Sequence, residues 1–592
     1  MKRGARGLAE CFARQRWRFL AGLAALAASD VCQLITPACV RRGIDAVTAG
    51  GAGAAQVRRE AVAVAALTVA VVAFRFLWRH FLFTGARIVE MDLRERLLTR
   101  ALALPAAWHA RTRTGELMAL ATNDLMAVRM ALAMGPVTVF DSTVFVIVAL
   151  VAQASIDWRL TVFTTLPFIV LGLVLRLSLR NMYARSTVVQ EAFERLTEKV
   201  RESLSGMRVL RGHAQEEGDV ADFERFSTAC VDAQMASVRV DAVFNPSVMA
   251  LTGLSTAILL GVGGTQVVEG QMSLGAFTAF SAYLGLMSWP MIAAGWTLSL
   301  MGRGTASMER VMDLLDREPE PDIAGQMPVI AGTIEARDLS FAYPGNERKA
   351  LDRVSFRVAP GGTLGIVGEV GSGKSTLAAL LLRVYAPPAG SLRIDGIDVN
   401  DIDLAHLRRH VSMVSQEAFL FSESIADNLR LGAPDASDER LIEACRLAAV
   451  HDEITEFPEG YETLLGERGI TLSGGQKQRV CLARALLKTA PILVLDDTLS
   501  AVDADTEARI LCELERERRE GRRTSVIIAH RVSAVRDADC IVVLRDGSVV
   551  EQGTHAELIA RGGAYAELHA LQQLEGESAS RATSMQEEVQ QP

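Results

Sequence analysis

The residues Gly368-Glu369-Val370-Gly371-Ser372-Gly373-Lys374-Ser375-Thr376 fit the pattern G-x-x-x-x-G-K-[ST], whose chemistry is the cradling of a nucleotide's phosphates. The pattern needs a strand before it and a helix after it. An apolar segment, Thr363 to Val367, supplies the first, and a helical pattern, Leu377 to Leu382, supplies the second. The glycines let backbone N–H groups point at the phosphates, and the helix N-terminus adds positive potential. Lys374 is expected to neutralise phosphate charge and Ser375 to ligate Mg2+. Pro491-Ile492-Leu493-Val494-Leu495-Asp496 reads as a buried strand ending in a carboxylate. Beside a phosphate loop, such an Asp holds Mg2+, usually through water. The two segments together predict a site for ATP and Mg2+.

Leu472-Ser473-Gly474-Gly475-Gln476 lies about twenty residues before that strand and opens a helical pattern, Lys477 to Leu487. A serine and two glycines at a helix start offer a hydroxyl and N–H groups to an anion. The stretch resembles the signature of the ABC family of ATPases. That resemblance implies that the anion is the γ-phosphate of ATP held by an opposite subunit. Four further segments match the family in order. Tyr343, in Phe341-Ala342-Tyr343-Pro344, matches the aromatic residue that stacks on adenine. Gln416, in Met413-Val414-Ser415-Gln416, matches the Q-loop, a Mg2+ and coupling contact. Ser500-Ala501-Val502-Asp503 matches the D-loop, and His530, in Ile528-Ala529-His530-Arg531, matches the switch histidine near the γ-phosphate. A lone histidine is more often structural. The joint order is what identifies residues 335–570 as similar to the family's ATP-binding domain.

One position departs from the family. The residue after Asp496 is usually Glu, which polarises the attacking water, and here it is Asp497. Losing one methylene retracts the carboxylate by about 1.5 Å, and a misplacement of about 1 Å can cost roughly 10²-fold in rate. The site on this chain's own phosphate loop is therefore expected to bind ATP and hydrolyse it slowly. The signature is intact and is expected to complete a site on a partner. This combination resembles one half of the heterodimeric exporters, and among them the bacterial multidrug-resistance-like (Mdl-type) half-transporters. The run Leu284-Gly285-Leu286-Met287, followed by Trp289-Pro290-Met291, agrees with that placement. The resemblance implies a homologous partner chain with Glu at the position equivalent to Asp497.

These motifs occupy less than half of the chain. With 592 residues it is too long for a single core, and it is 50% hydrophobic yet 22% charged. A net charge of −8 and dispersed arginines exclude a nucleic-acid surface. The eight cysteines form no CxxC pair and read as small core residues. The first half carries six apolar candidates for membrane spans, at 17–39, 61–84, 134–156, 159–178, 243–267 and 273–300. The linkers after the second and fourth are long, arginine-rich and helical in pattern, with turning points expected near Leu104–Leu117 and Gly212–Gly218. Thr114-Gly115-Glu116-Leu117, followed by Asn123-Asp124, is similar to the family's first cytoplasmic arm. The positive-inside rule places both termini and both long linkers in the cytoplasm. Residues 5–16 predict an amphipathic helix along the membrane surface ahead of an uncleaved first span.

Asp30, Arg75, Arg79 and Asp141 fall inside candidate spans. Each costs about 2.5–3.5 kcal/mol at mid-membrane unless paired or hydrated. An Arg75/Asp141 or Arg79/Asp141 pair is expected, either as an interhelix salt bridge or along a substrate path. Pro290 is expected to kink the sixth span.

The fold class expected is an all-α, six-helix transmembrane domain joined to an α/β P-loop nucleotide-binding domain. Its divisions are 1–310 for the transmembrane domain, 311–334 for a linker, 335–573 for the ATP-binding domain and 574–592 for a disordered tail. The function implied is ATP-driven export of amphipathic, drug- or lipid-like molecules across the inner (cytoplasmic) membrane. A homodimeric lipid flippase and an exporter-fold siderophore importer stand as alternatives. A soluble ATPase of DNA repair or translation is excluded by the six apolar spans.

Overall fold

The computed structural model describes residues 2–48, 53–320, 325–466, 472–498, 502, 504–519 and 523–574. The expected tail and most of the D-loop match lie outside these described residues. Contacts divide the chain into two units, Met1–Leu102 with Arg113–Arg317, and Ala103–Thr112 with Glu318–Pro592.

The described residues of the first unit form helices joined by short turns. Without water, a helix satisfies every backbone N–H and C=O within its own segment, and that is what long apolar runs demand in lipid. Among the described residues, four helices are long and apolar enough to cross a membrane: Arg16–Thr48, Ala54–Leu102, Thr114–Ile156 and Met249–Val268. Trp158–Gly172 and Leu274–Leu286 are shorter apolar helices. The helix Gly53–Leu102 has 50 residues. At 1.5 Å per residue it is about 75 Å long, more than twice the ~30 Å hydrocarbon thickness, so much of it continues beyond the membrane. Trp158–Ser205 and Glu216–Ile258 are similarly extended, and the chain turns between them at 213–215.

The sixth candidate is two helices. Leu274–Leu286 ends, Met287 turns, and Ser288–Leu315 begins. The expected kink at Pro290 is thus a break three residues earlier. A proline ring clashes with the carbonyl four residues before it, here that of Leu286, and is tolerated in a helix's first turn.

The expected Arg–Asp141 ion pair does not form. Arg75 Nη2 donates to Gln33 Oε1 at 2.9 Å, and the Arg79 guanidinium lies 5.5 Å from the ring of its neighbour Trp78. Asp30, Asp141 and Arg75 act on one another only at longer electrostatic range. The guanidinium reaches the helix packed alongside its own, Arg16–Thr48, rather than the more distant third span. Asp124, from the arm motif, accepts from Ser307 Oγ at 2.8 Å and Arg310 Nε at 3.0 Å, tying that arm to Ser288–Leu315.

The N-terminal helix Lys2–Arg14 forms where the amphipathic pattern predicts it. Its glycines, Gly4 and Gly7, are buried against Ser288–Leu315. Arg3 pairs with Asp313 at 2.8 Å and also with Asp316. A Cβ on Gly4 would come within 2.0 Å of the Thr305 carbonyl oxygen, and one on Gly7 within 2.4 Å of Met312 Sδ.

The second unit holds two sheets. The strands are β1 (Ile334–Phe341), β2 (Leu351–Val358), β3 (Thr363–Gly368), β4 (Leu392–Ile394), β5 (Ile397–Asp398), β6 (Val411–Val414), β7 (Ile492–Asp496), β8 (Thr524–Ile528), β9 (Cys540–Arg545) and β10 (Ser548–Gly553). A four-stranded antiparallel sheet runs β2-β1-β4-β5, and a six-stranded sheet runs β10-β9-β3-β8-β7-β6. In the larger sheet only β10 is antiparallel. Period-two alternation splits its side chains between two cores. Ile366, Ile492, Val494 and Ile528 join the core shared with β1 and β2. Val367, Leu493, Leu495 and Ile527 join the core under the helix Gly474–Leu487. Asp395-Gly396 and Asp546-Gly547 close two-residue hairpins with all four residues at positive φ, the chemistry such turns require.

The turn of the first arm belongs to this unit. Residues 103–112 include the short helix Ala106–His109, the Ala103 carbonyl accepts from Glu320 N–H at 2.6 Å, and Arg111 donates to the Pro344 carbonyl.

Asp395 also accepts N–H groups from Ala331 at 2.7 Å, Gly332 at 3.1 Å and Thr333 at 2.8 Å. Burial opposes ionisation, but these donors outweigh it and hold the carboxyl below the usual carboxylate range. Its stabilisation is therefore present above the unfolded value of about 3.9 and is lost as pH falls through the lower folded value. Asp395→Asn should lower the melting temperature of the full-length chain at pH 7, and the gap from wild type should close towards pH 3. Gly4→Ala should destabilise by about 1–3 kcal/mol through overpacking. Gly302→Ala, where nothing lies within 4 Å, should be neutral or gain up to about 1 kcal/mol in the same melting assay.

Candidate nucleotide site

Parallel pairing brings β3, β6, β7 and β8 to one edge of the sheet with their C-terminal ends together, where open α/β sheets place ligands. Gly368 ends β3, Asp496 ends β7, and Gln416 and His530 lie two residues beyond the ends of β6 and β8. A cavity of about 290 Å³ opens there. Val370, Gly371, Gly373, Lys374, Ser375 and Thr376 line it, together with Tyr343, Gln416, Asp496, Asp497 and His530. Ala350 and Ile528 complete the wall; Ile528 stands in the segment quoted for His530, and Ala350 carries no motif that would have flagged it.

The loop is built for close approach. Gly373 has φ +99°, and a Cβ there would lie 2.4 Å from the Ala350 carbonyl oxygen; one on Gly368 would lie 2.1 Å from that of Leu544. Gly368 and Glu369 turn their carbonyls to Lys374, whose Nζ donates to them at 2.8 and 2.7 Å. Burial pulls the Lys374 amine below its ordinary value, against the charges of Asp497 and Asp496. Ser372 Oγ is buried and lacks a hydrogen-bond partner. A hydroxyl donor without an acceptor inside a cationic loop fits a phosphate oxygen.

Ser375 Oγ donates to Asp496 Oδ1 at 3.1 Å. Asp496 is 3% exposed, and burial raises its carboxyl above the ordinary value; the Ser375 hydrogen bond opposes this, and the Asp497 charge adds to it. An adjacent hydroxyl and carboxylate, both hard oxygen donors, fit Mg2+ with phosphates and water as further ligands. Asp497 sits at φ +49° and donates its N–H to the Ile528 carbonyl at 2.9 Å. Asp enters this left-handed region more readily than most residues.

The Tyr343 hydroxyl shares a hydrogen bond of 3.0 Å with Thr376 Oγ1, and its ring meets Tyr385 and Phe341 edge-on at 5.1 and 5.3 Å. Tyr385 had no motif to announce it.

None of Ser473, Gly474, Gly475 and Gln476 lines this cavity. They begin the helix Gly474–Leu487, three residues before the expected start. Ser473 Oγ accepts from Gln476 N–H at 3.2 Å, and Gln476 Oε1 accepts from Ser473 N–H at 2.8 Å. The Gln476 side chain thus closes a capping box and satisfies the helix's own donors.

With this geometry in place, the chain can be set beside known proteins. Residues 19–291 match the family of the ABC transporter transmembrane region, and residues 351–500 match the ABC transporter family. It is 38% identical to the probable multidrug resistance ABC transporter ATP-binding/permease protein YheI of Bacillus subtilis, over 95% of this chain and 97% of that one. It is 36% identical to the multidrug resistance-like ATP-binding protein MdlA of Escherichia coli, over 95% of each chain. A solved bacterial Atm1-family ABC exporter with ATP bound superposes with TM-score 0.76 at 28% identity, covering 95% of this chain and 99% of that one. Apolar helices, a phosphate loop whose Ser375 bonds Asp496, and similarity over nearly the full length lead to one conclusion: the chain belongs to the ABC transporter family, as a membrane-embedded permease fused to an ATPase that couples ATP hydrolysis to transport.

Proposed function

We propose that the chain is one half of a heterodimeric exporter that moves amphipathic, drug- or lipid-like molecules out across the cytoplasmic membrane. One observation carries the two-chain reading: Ser473–Gln476 stand outside the cavity that this chain's own phosphate loop lines. A signature that does not reach its own loop is free to complete a partner's site. Asp497 in place of Glu supports the unequal pairing, because the shorter carboxylate suits a slow site. The names of the relatives, both of multidrug resistance type, support the substrate class.

In this reading residues 1–310 form the permease, 311–334 the linker and 335–573 the ATPase, with both termini in the cytoplasm. Tyr343 stacks on adenine. The backbone of Gly368–Thr376 wraps the phosphates, and Lys374 leaves the carbonyls of Gly368 and Glu369 to neutralise them. Ser375, Asp496 and Gln416 would hold Mg2+, which when bound neutralises β- and γ-phosphate charge. Asp497 orients water and His530 meets the γ-phosphate. Ser473, Gly474, Gly475 and Gln476 offer their helix start to the nucleotide on the partner chain. Closure of two ATPase domains around ATP shifts the arms, one of whose turns (103–112) belongs to the second unit, and so switches access to the membrane cavity.

Purified alone, the chain should show little ATPase activity, and adding its partner should raise it strongly; robust activity from the lone chain would refute the heterodimer. In the mixed complex, neutralising the partner's catalytic carboxylate should abolish steady-state turnover. There Asp497→Asn should cost no more than about tenfold, well under the roughly 10²-fold that a displaced catalytic group can cost. Ser473→Ala should lower turnover of the complex more than Asp497→Asn does, beyond the ~1 kcal/mol of helix stability a lost cap costs.

A further inference from the structure

The histidine that closes the nucleotide cavity sits on chain with little regular structure of its own. β8 ends at Ile528, and the next residue, Ala529, donates its N–H to the Ile366 carbonyl at 3.0 Å. Residues 530–532 are bends that lead into the short turn Ser533–Val535. Two side chains from elsewhere in the sequence grip this stretch. Gln572 Nε2 donates to the His530 carbonyl at 2.7 Å, and Gln572 Oε1 accepts from Val532 N–H at 2.8 Å. Glu507, 4% exposed, accepts from Arg531 Nη1 at 2.9 Å and from Ser533 Oγ at 3.0 Å.

The Gln572 grip is bidentate, one bond on each side of Arg531, so it fixes the orientation of the backbone as well as its place. The helix that carries Gln572, residues 564–574, is anchored away from the cavity. Glu551 accepts N–H groups from Ala564 at 2.7 Å and Tyr565 at 3.1 Å at its start. Tyr565 is fully buried, and its hydroxyl shares a 2.8 Å hydrogen bond with His555 Nδ1. Gln572 follows Tyr565 by seven residues, two helical turns, and so projects from the same face. An anchor at one end and a two-bond grip at the other make the helix a brace for the histidine.

We propose that Gln572 is a positioning residue for His530, and that the C-terminal helix sets how His530 meets the γ-phosphate on this chain's phosphate loop. The proposal rests on the reading of His530 as that contact. A buried brace of purely structural value would alter stability or nucleotide affinity. A positioning residue alters the hydrolytic step, where a shift of about 1 Å can cost up to roughly 10²-fold.

The test follows γ-phosphate release from ATP, under single-turnover conditions, by the full-length chain assembled with a partner whose catalytic carboxylate has been neutralised. Hydrolysis then reports the site on this chain. Gln572→Leu, close in shape but without either hydrogen bond, should slow release about tenfold or more. ATP affinity, read with a fluorescent ATP analogue, should stay within about twofold, and the melting temperature within about 2 °C. Gln572→Glu, which keeps the acceptor for Val532 N–H and loses the donor to His530, should fall between. Because the two residues act through one contact, the His530→Ala/Gln572→Leu double variant should be no slower than His530→Ala alone. Release by Gln572→Leu within about twofold of wild type, or a loss that multiplies that of His530→Ala, overturns the proposal. A loss of melting temperature in Gln572→Leu with no loss in Gln572→Glu overturns it as well, in favour of a structural brace. If His530→Ala itself leaves release unchanged, the γ-phosphate role of His530 fails first and the positioning role falls with it.

Discussion

The hydrogen bond from Ser375 Oγ to Asp496 Oδ1 joins residues 121 apart in sequence, and the nucleotide site depends on it. It exists because β3 and β7 both flank β8 and run parallel, so their C-terminal ends finish at the same edge. The pleat does the rest. Ile492 and Val494 point into the core shared with the helix Lys374–Leu381, and Asp496, two residues on, continues along that face towards Ser375. A slip of one residue in β7 would turn Asp496 away and put Asp497 in its place. The same parallel order delivers Gln416 and His530 to the cavity.

A second constraint governs the permease. Backbone groups in lipid must be satisfied locally, so the apolar segments become helices, and those with polar continuations become rods far longer than the bilayer is thick. What remains free is how the rods are tied. The N-terminal helix uses its glycines to lie against Ser288–Leu315, and Asp124 ties the first arm to that same helix. Ser288–Leu315 is thus a helix to which other elements are fastened.

The departure at Asp497 takes on a physical context in the fold. The residue occupies a left-handed backbone position held by the Ile528 carbonyl, at the mouth of a cavity that lacks its own signature. The signature's side chains meanwhile satisfy their own helix start, leaving backbone N–H groups and a partly engaged hydroxyl for an anion. These two facts support the proposed site divided between two chains, and the shortened carboxylate supports its proposed unequal halves.

The phosphate loop, the Asp496 strand, the aromatic, glutamine and histidine positions, and the helical, apolar character of the first half were legible in the amino-acid order, although only four of the described helices are long and apolar enough to cross a membrane. Each depends on local rules: glycine where a side chain would clash, a helix start beside an anion, an apolar run of sufficient length. The partner of Arg75 was not legible, because helix rotation and neighbour order decide which polar group a long side chain reaches; here it is Gln33 rather than Asp141. Nor was the break at Met287, which answers to a carbonyl four residues before Pro290. The inward use of Gln476 and the grip of Gln572 and Glu507 on the His530 segment were also hidden, the latter because glutamine and glutamate on a helix carry no pattern of their own. The sequence alone determined which chemistry this protein can perform and that it lies in a membrane. Only the tertiary structure decided which side chains hold that chemistry in place, because those contacts join segments whose proximity no local pattern encodes.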